Sequence, residues 1–504
     1  MSDRRNDRRS GRQNTHTAPP AGGTKPGVPS GSFVIEITDL NNLGCGVGRL
    51  PAEEGHEQGL VTFVRGAVTG DVVETQLIKV TSSYAVGRLL RVVTPSPMRA
   101  MDDFCTAPEA CGGCVYRHLT YEAELESKHK RVMQAFRQAG LGDVTVLPPL
   151  STGVTSGYRN KGMYPVQNGK TGVEAGFYAA KSHNLIKCAA CSLQPPVFAR
   201  VVEAVCRFFN DKRIRAYDET TATGILRHVY LRTTAAGEIM VCLVINADCL
   251  PGGKKTHNDL TDALLDAFPQ IVSISLNINK KNTNVVLGDT FVQLFGKPYM
   301  EDTLCGLRFR ISAGSFYQVN HDAAELLYRT AAARAALTGK ENLWDLYCGA
   351  GTIGLSMSGP DLPPDKRAAT VTGVEIVPEA VDCARDNARL NADLGLLTPD
   401  IAHFFCADAG DPSSLFAPAD RGDVPAPDVV VIDPPRKGTT PELIRELSKR
   451  GYGKVVYISC DPETLARDCA VFREEGYTVG DVRPVDLFPR TGHVESVVLI
   501  TREK

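Results

Sequence analysis

The chain has 504 residues, a length that predicts about three domains with sizeable hydrophobic cores. Hydrophobic residues make up 43% and charged residues 23% of the sequence, as in an ordinary folded protein. With no apolar run near about 18 residues and no apolar segment behind the basic N-terminus, we expect a cytoplasmic protein without a membrane partner. The formal net charge of −2 argues against a surface covered by nonspecific phosphate contacts, so any nucleic-acid site must be local.

Residues 1–32 are predicted to form a disordered basic tail. They lack hydrophobic periodicity and are rich in Arg, Gly, Pro, Ser and Thr, a composition that cannot supply a core. The basic residues of this segment are Arg4, Arg5, Arg8, Arg9, Arg12 and Lys25. Two interpretations are open, a solvated charge run and a weak RNA-tethering arm.

Residues 33–94 are predicted to form a small β-barrel. Short β-branched runs such as FVIEI and DVVETQLIKV alternate with Gly-rich turns such as GCGVGR, and regular short strands of this kind favour a barrel. The order of these pieces resembles the TRAM domain, an OB-like module of RNA-modifying enzymes. Periodicity alone also fits any other small barrel.

Residues 95–310 mix helical and strand patterns, which predicts a central α+β domain. The segment YEAELESKHKRVMQAFRQAG has helical spacing and ends at Gly140, a plausible C-cap. Before it, Cys105, Cys111 and Cys114 are spaced C-x5-C-G-G-C, which brings soft metal ligands together at a Gly-rich turn. A fourth ligand would come from Cys188 or Cys191. By chemistry alone, zinc and an iron–sulfur cluster both fit four thiolates.

Residues 311–504 alternate strands and helices, which predicts an α/β, Rossmann-like, doubly wound parallel sheet with ligands at the C-terminal strand ends. A strand leads into the glycine loop DLYCGAG (345–351), Glu375 closes the next strand, and Asp408 follows the third. A glycine loop lets the backbone approach a ligand closely, and a carboxylate at the next strand end can bind the hydroxyls of a ribose. Together they indicate a nucleoside cofactor. The pattern favours S-adenosylmethionine over nicotinamide, which usually takes a longer glycine motif.

Two further strand ends carry reactive groups. Asp433-Pro-Pro-Arg436 has Arg436 where amino-group methyltransferases place an aromatic residue, so an exocyclic nitrogen is a poor target. Cys460 lies before a helix with Asp461 as N-cap, Pro462 as first residue and Gly476 at the far end. A helix N-terminus lowers a thiol pKa, which suits a nucleophile, but this local pattern fits a buried packing cysteine equally well.

A carboxylate, Glu495, precedes the last apolar strand. A thiolate and a carboxylate beside a methyl donor are the groups needed to methylate C5 of a pyrimidine. Uracil C5 becomes nucleophilic only after a thiolate adds at C6, and a base must then remove the C5 proton. We therefore predict Cys460 as the nucleophile and Glu495 as the base.

Five motifs in this order, FYQVN, DLYCGAG, IDPPRKG, SCDPETLARD and FPRTGHVESVVLI, resemble those of the RNA (uracil-5-)-methyltransferase family, of the 23S rRNA type with a TRAM domain and a [4Fe-4S] cluster. The resemblance implies an S-adenosylmethionine site and the roles just given to Cys460 and Glu495. The implied cofactor-site residues are Gln318, Tyr347, Thr352, Glu375, Asp408 and Asp433. The implied cluster ligands are Cys105, Cys111, Cys114 and Cys191, with Cys188 as the spare.

The implied substrate is structured RNA, with 23S rRNA favoured and tRNA second, and no obligate protein partner is expected. A target uracil must be extruded from its stack. Basic candidates for RNA contact are Arg159, Lys161 and Arg436. Two other classes remain open: a cytosine-5 RNA methyltransferase, which would typically carry a second cysteine in the IDPPRKG motif, and a non-catalytic RNA-binding protein, which would need neither Cys460 nor Glu495.

Overall fold

The computed structural model describes residues 31–52, 59–101, 105, 111–179, 182–188, 190–420 and 422–502. Most of the predicted basic tail therefore lies outside the described residues. The chain divides into two compact units, one comprising Met1–Asp39 and Gly46–Pro95 and the other Leu40–Cys45 and Ser96–Lys504. No helix in the described part of the chain has the length and apolar character needed to cross a bilayer.

The first unit is a closed five-stranded barrel, as the sequence predicts. Its strands follow one another in the order β1-β2-β3-β5-β4, and β1 pairs with β4 to close it. The strands are β1 (Ser32–Leu40), β2 (Cys45–Arg49), β3 (Val61–Arg65), β4 (Val72–Val80) and β5 (Tyr84–Thr94). Alternate side chains point inward, so that Ile35, Ile37, Val64 and Val73 form the barrel core.

The second unit begins with helix α1 (Tyr121–Gln138), which the sequence predicts, and Gly140 beyond it has a φ of 77°. A seven-stranded sheet follows, in the order β12-β11-β10-β9-β6-β7-β8. Its strands are β6 (Lys161–Gly169), β7 (Gly172–Tyr178), β8 (Leu185–Lys187), β9 (Leu226–Thr233), β10 (Ile239–Ile245), β11 (Ile271–Ile278) and β12 (Thr290–Gly296). Helices α2 (Pro196–Asp211) and α3 (Lys254–Ala267) contribute to its core.

A hairpin of β13 (Tyr299–Leu304) and β14 (Leu307–Ser312) leads to helix α4 (His321–Ala335). A second seven-stranded sheet then has the order β17-β16-β15-β18-β19-β21-β20. Its strands are β15 (Asn342–Leu346), β16 (Thr370–Glu375), β17 (Ala402–Cys406), β18 (Val429–Ile432), β19 (Lys454–Ser459), β20 (Thr478–Val485) and β21 (Glu495–Thr501). Its helices are α5 (Thr352–Ser356), α6 (Pro378–Asp393), α7 (Pro412–Asp420), α8 (Pro441–Lys449) and α9 (Pro462–Glu474).

The first five strands of this sheet are parallel, and β21 enters antiparallel between β19 and β20. Both faces are covered. Leu343 belongs to the core on one face, while the next residue, Trp344, belongs to the core on the other. The predicted α/β architecture is therefore confirmed. The domain boundaries 95–310 and 311–504 remain predictions, because both sheets belong to one compact unit.

Helix α1 packs into the core of this second sheet. Val132, Ala135 and Phe136 are buried together with Leu465 and Phe472 of α9. Helix α1, which precedes the seven-stranded sheet of β6 to β12 in the chain, thus completes the hydrophobic core of the sheet of β15 to β21. This placement brings α1 next to the segment that leads to Glu495.

Candidate active site

The C-terminal edge of the parallel strands carries the sequence-predicted groups. Glu375 ends β16, and Tyr347, Asp408, Asp433 and Cys460 follow β15, β17, β18 and β19. The strand order reverses direction between β15 and β18, which opens a crevice at this edge. The loop after β15 and the ends of β18 and β19 meet at that crevice.

Cys460 and Glu495 come together through the antiparallel pairing of β19 and β21. Lys454 lies opposite Thr501 and Ser459 opposite Ser496. Continuing this register by one residue places Cys460 opposite Glu495. Glu495 is buried, with 4% of its surface exposed, and Cys460 is half-buried. The predicted nucleophile and base therefore face one another at the end of the sheet.

The expected lowering of the Cys460 pKa was wrong. Burial raises the pKa of the thiol to about 11, and the neighbouring carboxyls of Glu495 and Asp433 add to this, while Arg436 opposes it. Asp461 does cap α9 as predicted, since its side chain accepts from the Thr464 N–H at 3.0 Å. The sequence shows the helix but not the burial of the thiol, which has the largest effect on its pKa.

The two carboxyls are themselves perturbed. Burial raises the pKa of Asp433 to about 7. Burial and the proximity of Asp433 raise the pKa of Glu495 to about 8, against the opposing effect of Arg436. The Glu495 carboxyl is therefore mostly protonated at neutral pH.

Arg436 and His493 form a pair that the sequence motifs did not indicate. The Arg436 Nη2 lies 3.2 Å from His493 Nε2. Burial, followed by the cations Arg436 and Arg131, lowers the pKa of His493 to about 4, so the imidazole is neutral and can accept from Arg436. The signal available in the sequence was the position of His493, two residues before the predicted base.

The predicted cofactor loop has an unusual backbone. Tyr347 has a φ of 64°, and Gly349 and Gly351 also adopt positive φ. Positive φ is uncommon for a bulky residue and concentrates at functional sites. Glu375 holds the loop, because its Oε2 accepts from the Gly349 N–H at 3.1 Å and its Oε1 accepts from the Val377 N–H at 3.0 Å. The carboxylate at the end of β16 is thus fixed against the glycine turn.

Three other groups predicted near the cofactor have local partners. The Tyr347 hydroxyl lies 3.2 Å from Thr439 Oγ1, and the Thr352 hydroxyl lies 3.1 Å from the Tyr328 hydroxyl. Asp408 is exposed, and its Oδ1 accepts from the Gly410 N–H at 2.8 Å. Of the three, the Asp408 side chain is the most open to solvent.

Asp345, like His493, is a residue to which the sequence motifs gave no role. Its Oδ2 accepts from the Gly354 N–H at 2.8 Å, while its buried Oδ1 has no hydrogen-bond partner among the described residues. Burial raises its pKa to about 7. A buried carboxyl oxygen without a partner, directly beneath the glycine loop, is an unmet acceptor at the predicted cofactor site.

Gln318 lies in the segment between β14 and α4. Its backbone carbonyl accepts from Asn160 Nδ2 at 2.9 Å, and Asn160 also donates its N–H to the Val319 carbonyl at 2.8 Å. Gln318 is buried, with only 8% of its surface exposed. The FYQVN motif is thereby held against the segment that contains Arg159.

One face of α1 holds the segment that leads to Glu495. The fully buried Lys128 donates to Asp486 Oδ1 at 2.7 Å and to the Phe488 carbonyl at 3.1 Å. Glu124, one turn earlier, pairs with Lys128 at 2.7 Å. Arg131 donates to the Gly492 carbonyl at 2.7 Å. Buried charges of this kind are tolerated only when paired, so the contacts fix the path of the chain toward the predicted base.

Cys105, Cys111, Cys114 and Cys191 line one cavity of about 730 Å³. Burial raises the pKa of Cys114 to about 12, and the nearest thiols, Cys191 and Cys105, add to this effect. Cys188 does not line the cavity, and its Sγ donates to the Ala190 carbonyl at 2.8 Å. Among the described residues, no three His, Cys, Asp or Glu side chains are arranged to hold a metal ion.

Residues 120–503 match the family described as tRNA (uracil-5-)-methyltransferase. The chain belongs to this family. An uncharacterized RNA methyltransferase of Halalkalibacterium halodurans is 38% identical over 475 residues, covering 93% of this chain and 96% of that protein. Another, from Clostridium tetani, is 37% identical over 477 residues, covering 94% and 97%. The predicted RNA uracil-5-methyltransferase family is therefore confirmed.

The solved structure of Pyrococcus abyssi tRNA (uracil-54, C5)-methyltransferase in complex with S-adenosyl-L-homocysteine is also similar. It shares 26% identity and a TM-score of 0.71, covering 93% of this chain and 99% of that one. The likeness extends over nearly the whole fold of this tRNA (uracil-5-)-methyltransferase family member.

Proposed function

We propose that this protein transfers a methyl group from S-adenosylmethionine to C5 of a uracil in structured RNA, with 23S rRNA as the favoured substrate. The observation that carries the proposal is the position of Cys460 opposite Glu495 at the strand ends, beside the glycine loop. A cytosine-5 RNA methyltransferase is disfavoured, because the motif at Asp433 contains no second cysteine. A non-catalytic RNA-binding protein would not need the facing thiol and carboxyl.

The proposed reaction gives separate roles to Cys460 and Glu495. The Cys460 thiol loses its proton to solvent and its Sγ adds to C6 of the extruded uracil, while the electrons of the C5–C6 double bond move into an enolate, which makes C5 nucleophilic. S-adenosylmethionine, when bound, supplies the electrophilic methyl group that C5 takes up. Glu495 then accepts the C5 proton, and the electrons of that C–H bond restore the C5–C6 double bond as the Cys460 sulfur leaves. Arg436 favours the anionic forms of both residues, since it opposes the rise in their pKa values.

The residues at the crevice fit such a cofactor. Bare backbone at Gly349 and Gly351 permits a close approach, and Glu375 presents a carboxylate at the adjacent strand end. Asp345 adds the buried acceptor without a partner. We assign the cofactor site to Gln318, Tyr347, Thr352, Glu375, Asp408 and Asp433. The similar Pyrococcus abyssi enzyme carries S-adenosyl-L-homocysteine, which supports this assignment.

The rate at which free 5-methyluridine RNA is released should rise with pH between about 6 and 8. Glu495 must be ionised to accept the C5 proton, and its pKa is about 8, so the active fraction grows as the pH approaches that value. Ionisation of the Cys460 thiol, whose pKa is about 11, favours the earlier addition step in the same direction. The rate of release of methylated RNA from the covalent adduct, at saturating RNA and S-adenosylmethionine, would measure this. A rate that falls over this range, with both affinities unchanged, would contradict the role of Glu495.

Two RNA classes are candidates for the substrate. The family resemblance favours 23S rRNA, while the name of the similar Pyrococcus abyssi enzyme supports tRNA. The barrel does not separate the two, because that enzyme matches 93% of this chain. The predicted resemblance of residues 33–94 to a TRAM domain is part of the same proposal.

An assay with methyl-labelled S-adenosylmethionine distinguishes 23S rRNA from tRNA as the substrate. The anaerobically purified protein is incubated with 23S rRNA fragments and with tRNA transcripts, and the labelled nucleoside is identified after digestion. We expect label in 5-methyluridine from 23S rRNA. Label only in tRNA would keep the chemistry and replace the substrate. Label in 5-methylcytidine, or none in either RNA, would overturn the proposed function.

We further propose that Cys105, Cys111, Cys114 and Cys191 hold a [4Fe-4S] cluster. Support comes from the four residues lining one cavity, from which Cys188 is absent. The set of four thiols suits the cluster and zinc alike. When bound, the cluster would tie the loop of the first three cysteines to the loop of Cys191, as a structural group.

Anaerobic purification should yield about four iron and four acid-labile sulfide per chain, as a [4Fe-4S] cluster requires. Cys191→Ser should lose most of both, while Cys188→Ser, which changes the neighbouring thiol outside the cavity, should retain them. One zinc per chain in place of iron would contradict the proposed [4Fe-4S] cluster but would still be consistent with the four proposed cysteine ligands. Loss of iron in Cys188→Ser, with retention in Cys191→Ser, would reverse the choice of the fourth ligand.

A further inference from the structure

A second cavity lies on the central sheet, next to the cysteine cavity and separate from the catalytic crevice. It has a volume of about 420 Å³, within the range of small-ligand pockets. We call it the aromatic pocket, and its defining residues are Tyr178, His183, Tyr217, Arg227 and His228. None of these residues has a part in the chemistry proposed above.

The aromatic pocket contains flat groups in stacking geometry. The rings of Tyr178 and His183 lie 5.1 Å apart and only 18° from parallel. The His183 side chain is 63% exposed, so part of this platform is open to a ligand. On another wall, the Arg227 guanidinium lies 4.5 Å from the centre of the Tyr217 ring. Aromatic rings and Arg planes are the surfaces on which unpaired nucleobases stack.

The pocket also contains an unmet hydrogen-bonding group. His228 is 9% exposed, and its Nδ1 has no hydrogen-bond partner among the described residues. Burial, and then Arg227, lowers the pKa of this imidazole to about 4, so the ring is neutral. A neutral imidazole can donate from one nitrogen and accept at the other, which suits the polar edge of a base.

The charges of the pocket disfavour a phosphate. Asp218 and Glu219 line it, and Glu219 Oε2 lies 3.0 Å from His183 Nδ1. Arg227, the cation of the pocket wall, already donates from Nη1 to the carbonyls of Asn279 and Lys281, each at 2.8 Å. Carboxylates repel a phosphate but can accept from the N–H groups of a nucleobase.

The position of the pocket connects it to the catalytic centre. Tyr178, His183 and His228 line both the aromatic pocket and the cysteine cavity. Arg159 lines the cysteine cavity and is also among the cations that lower the pKa of His493. The aromatic pocket thus adjoins the cysteine cavity, and Arg159 of that cavity lies close enough to act electrostatically on His493, two residues before Glu495.

We propose that the aromatic pocket binds one unstacked nucleobase of the RNA substrate, at a nucleotide other than the target uridine. This inference rests on the proposed function, because it takes RNA as the substrate. The bound base would stack on the Tyr178–His183 platform and present N–H groups to the carboxylates. Holding a second base would select RNAs in which two nucleotides are unpaired at a fixed spacing.

The test compares the RNA affinities of three histidine variants, using 23S rRNA fragments and tRNA transcripts as probes. His183→Ala should weaken the affinity for the preferred RNA by about fivefold or more, the effect of losing one stacked base. His183→Phe keeps the flat ring and should bind close to wild type. His403→Ala is the matched control, because it removes an exposed histidine on β17. Affinity for S-adenosylmethionine should be the same in all, which shows that each variant is folded.

Photocrosslinking identifies the base itself. The preferred RNA is made with a photoreactive base at one position at a time, and crosslinked peptides are mapped. We expect one non-target position to crosslink to peptides containing Tyr178 or His183. RNA affinity of His183→Ala equal to wild type, together with no such crosslink, would overturn the proposal.

Free nucleotides are the other source of the same chemistry. Binding of nucleoside monophosphates to the wild type, lost in His183→Ala while RNA affinity is unchanged, would assign the pocket to a free nucleotide and overturn the RNA proposal. These affinities do not depend on methylation. A protein that transfers no methyl group to uracil would therefore refute the proposed function and still give a separate result for the pocket.

Discussion

Replacing Cys460 with alanine should reduce methylation of RNA by about 10⁴-fold or more, because the bond to C6 that makes C5 of uracil nucleophilic can then not form. The thiol faces Glu495 across the β19–β21 register. The IDPPRKG motif at the neighbouring strand end contains no cysteine. Transfer of labelled methyl groups to RNA, measured in single turnover, gives the rate. The affinity for RNA should stay close to wild type.

Cys249→Ala provides the matched control, since Cys249 is an exposed cysteine after β10. Its rate should equal that of the wild type. Should Cys460→Ala retain a substantial rate, covalent addition by this residue would be wrong, and the facing thiol would have a packing role only.

Replacing Glu495 with glutamine should stop the reaction one step later. The amide has nearly the same shape but cannot accept the C5 proton, so the sulfur cannot leave, and an RNA–protein adduct that already carries the methyl group should accumulate. Turnover should fall by about 10²- to 10⁴-fold, the usual contribution of a general base. Denaturing gel electrophoresis with labelled S-adenosylmethionine detects the adduct as a labelled, slowly migrating band.

Two comparisons make this result specific. Glu442→Gln changes a 65% exposed glutamate on α8 and should turn over normally without an adduct. The double variant Cys460→Ala with Glu495→Gln should form no adduct, because the bond to C6 is missing. Free turnover in Glu495→Gln would exclude Glu495 as the base, and an adduct in the double variant would exclude Cys460 as the nucleophile.

The sequence was informative wherever function depends on local pattern. The barrel, the α/β sheet, helix α1 and the Asp461 cap of α9 are all found as predicted. Strand ends carry Cys460 and Asp433 because parallel strands direct their C-termini to one edge, a rule that needs no tertiary information. The four cysteines of the C-x5-C-G-G-C segment and the CSLQ segment likewise share one cavity.

What the sequence did not provide depends on contacts between distant segments. The Cys460 pKa is raised rather than lowered, because the assembled sheet buries the thiol and also places Glu495 of another strand beside it. The pairing of Arg436 with His493 joins residues 57 positions apart, and neither motif alone indicates it. The buried Oδ1 of Asp345 has no hydrogen-bond partner among the described residues, which the motif by itself does not indicate. Register and burial of this kind arise only when the sheet is assembled.

The position of α1 means that the catalytic fold is discontinuous along the chain. Its core needs Val132 and Phe136, and its base-bearing segment needs Lys128, yet the whole central sheet intervenes before β15. The central sheet thus lies, along the chain, between two segments that share one hydrophobic core. A fragment that began at residue 311 would lack the helix that completes this core.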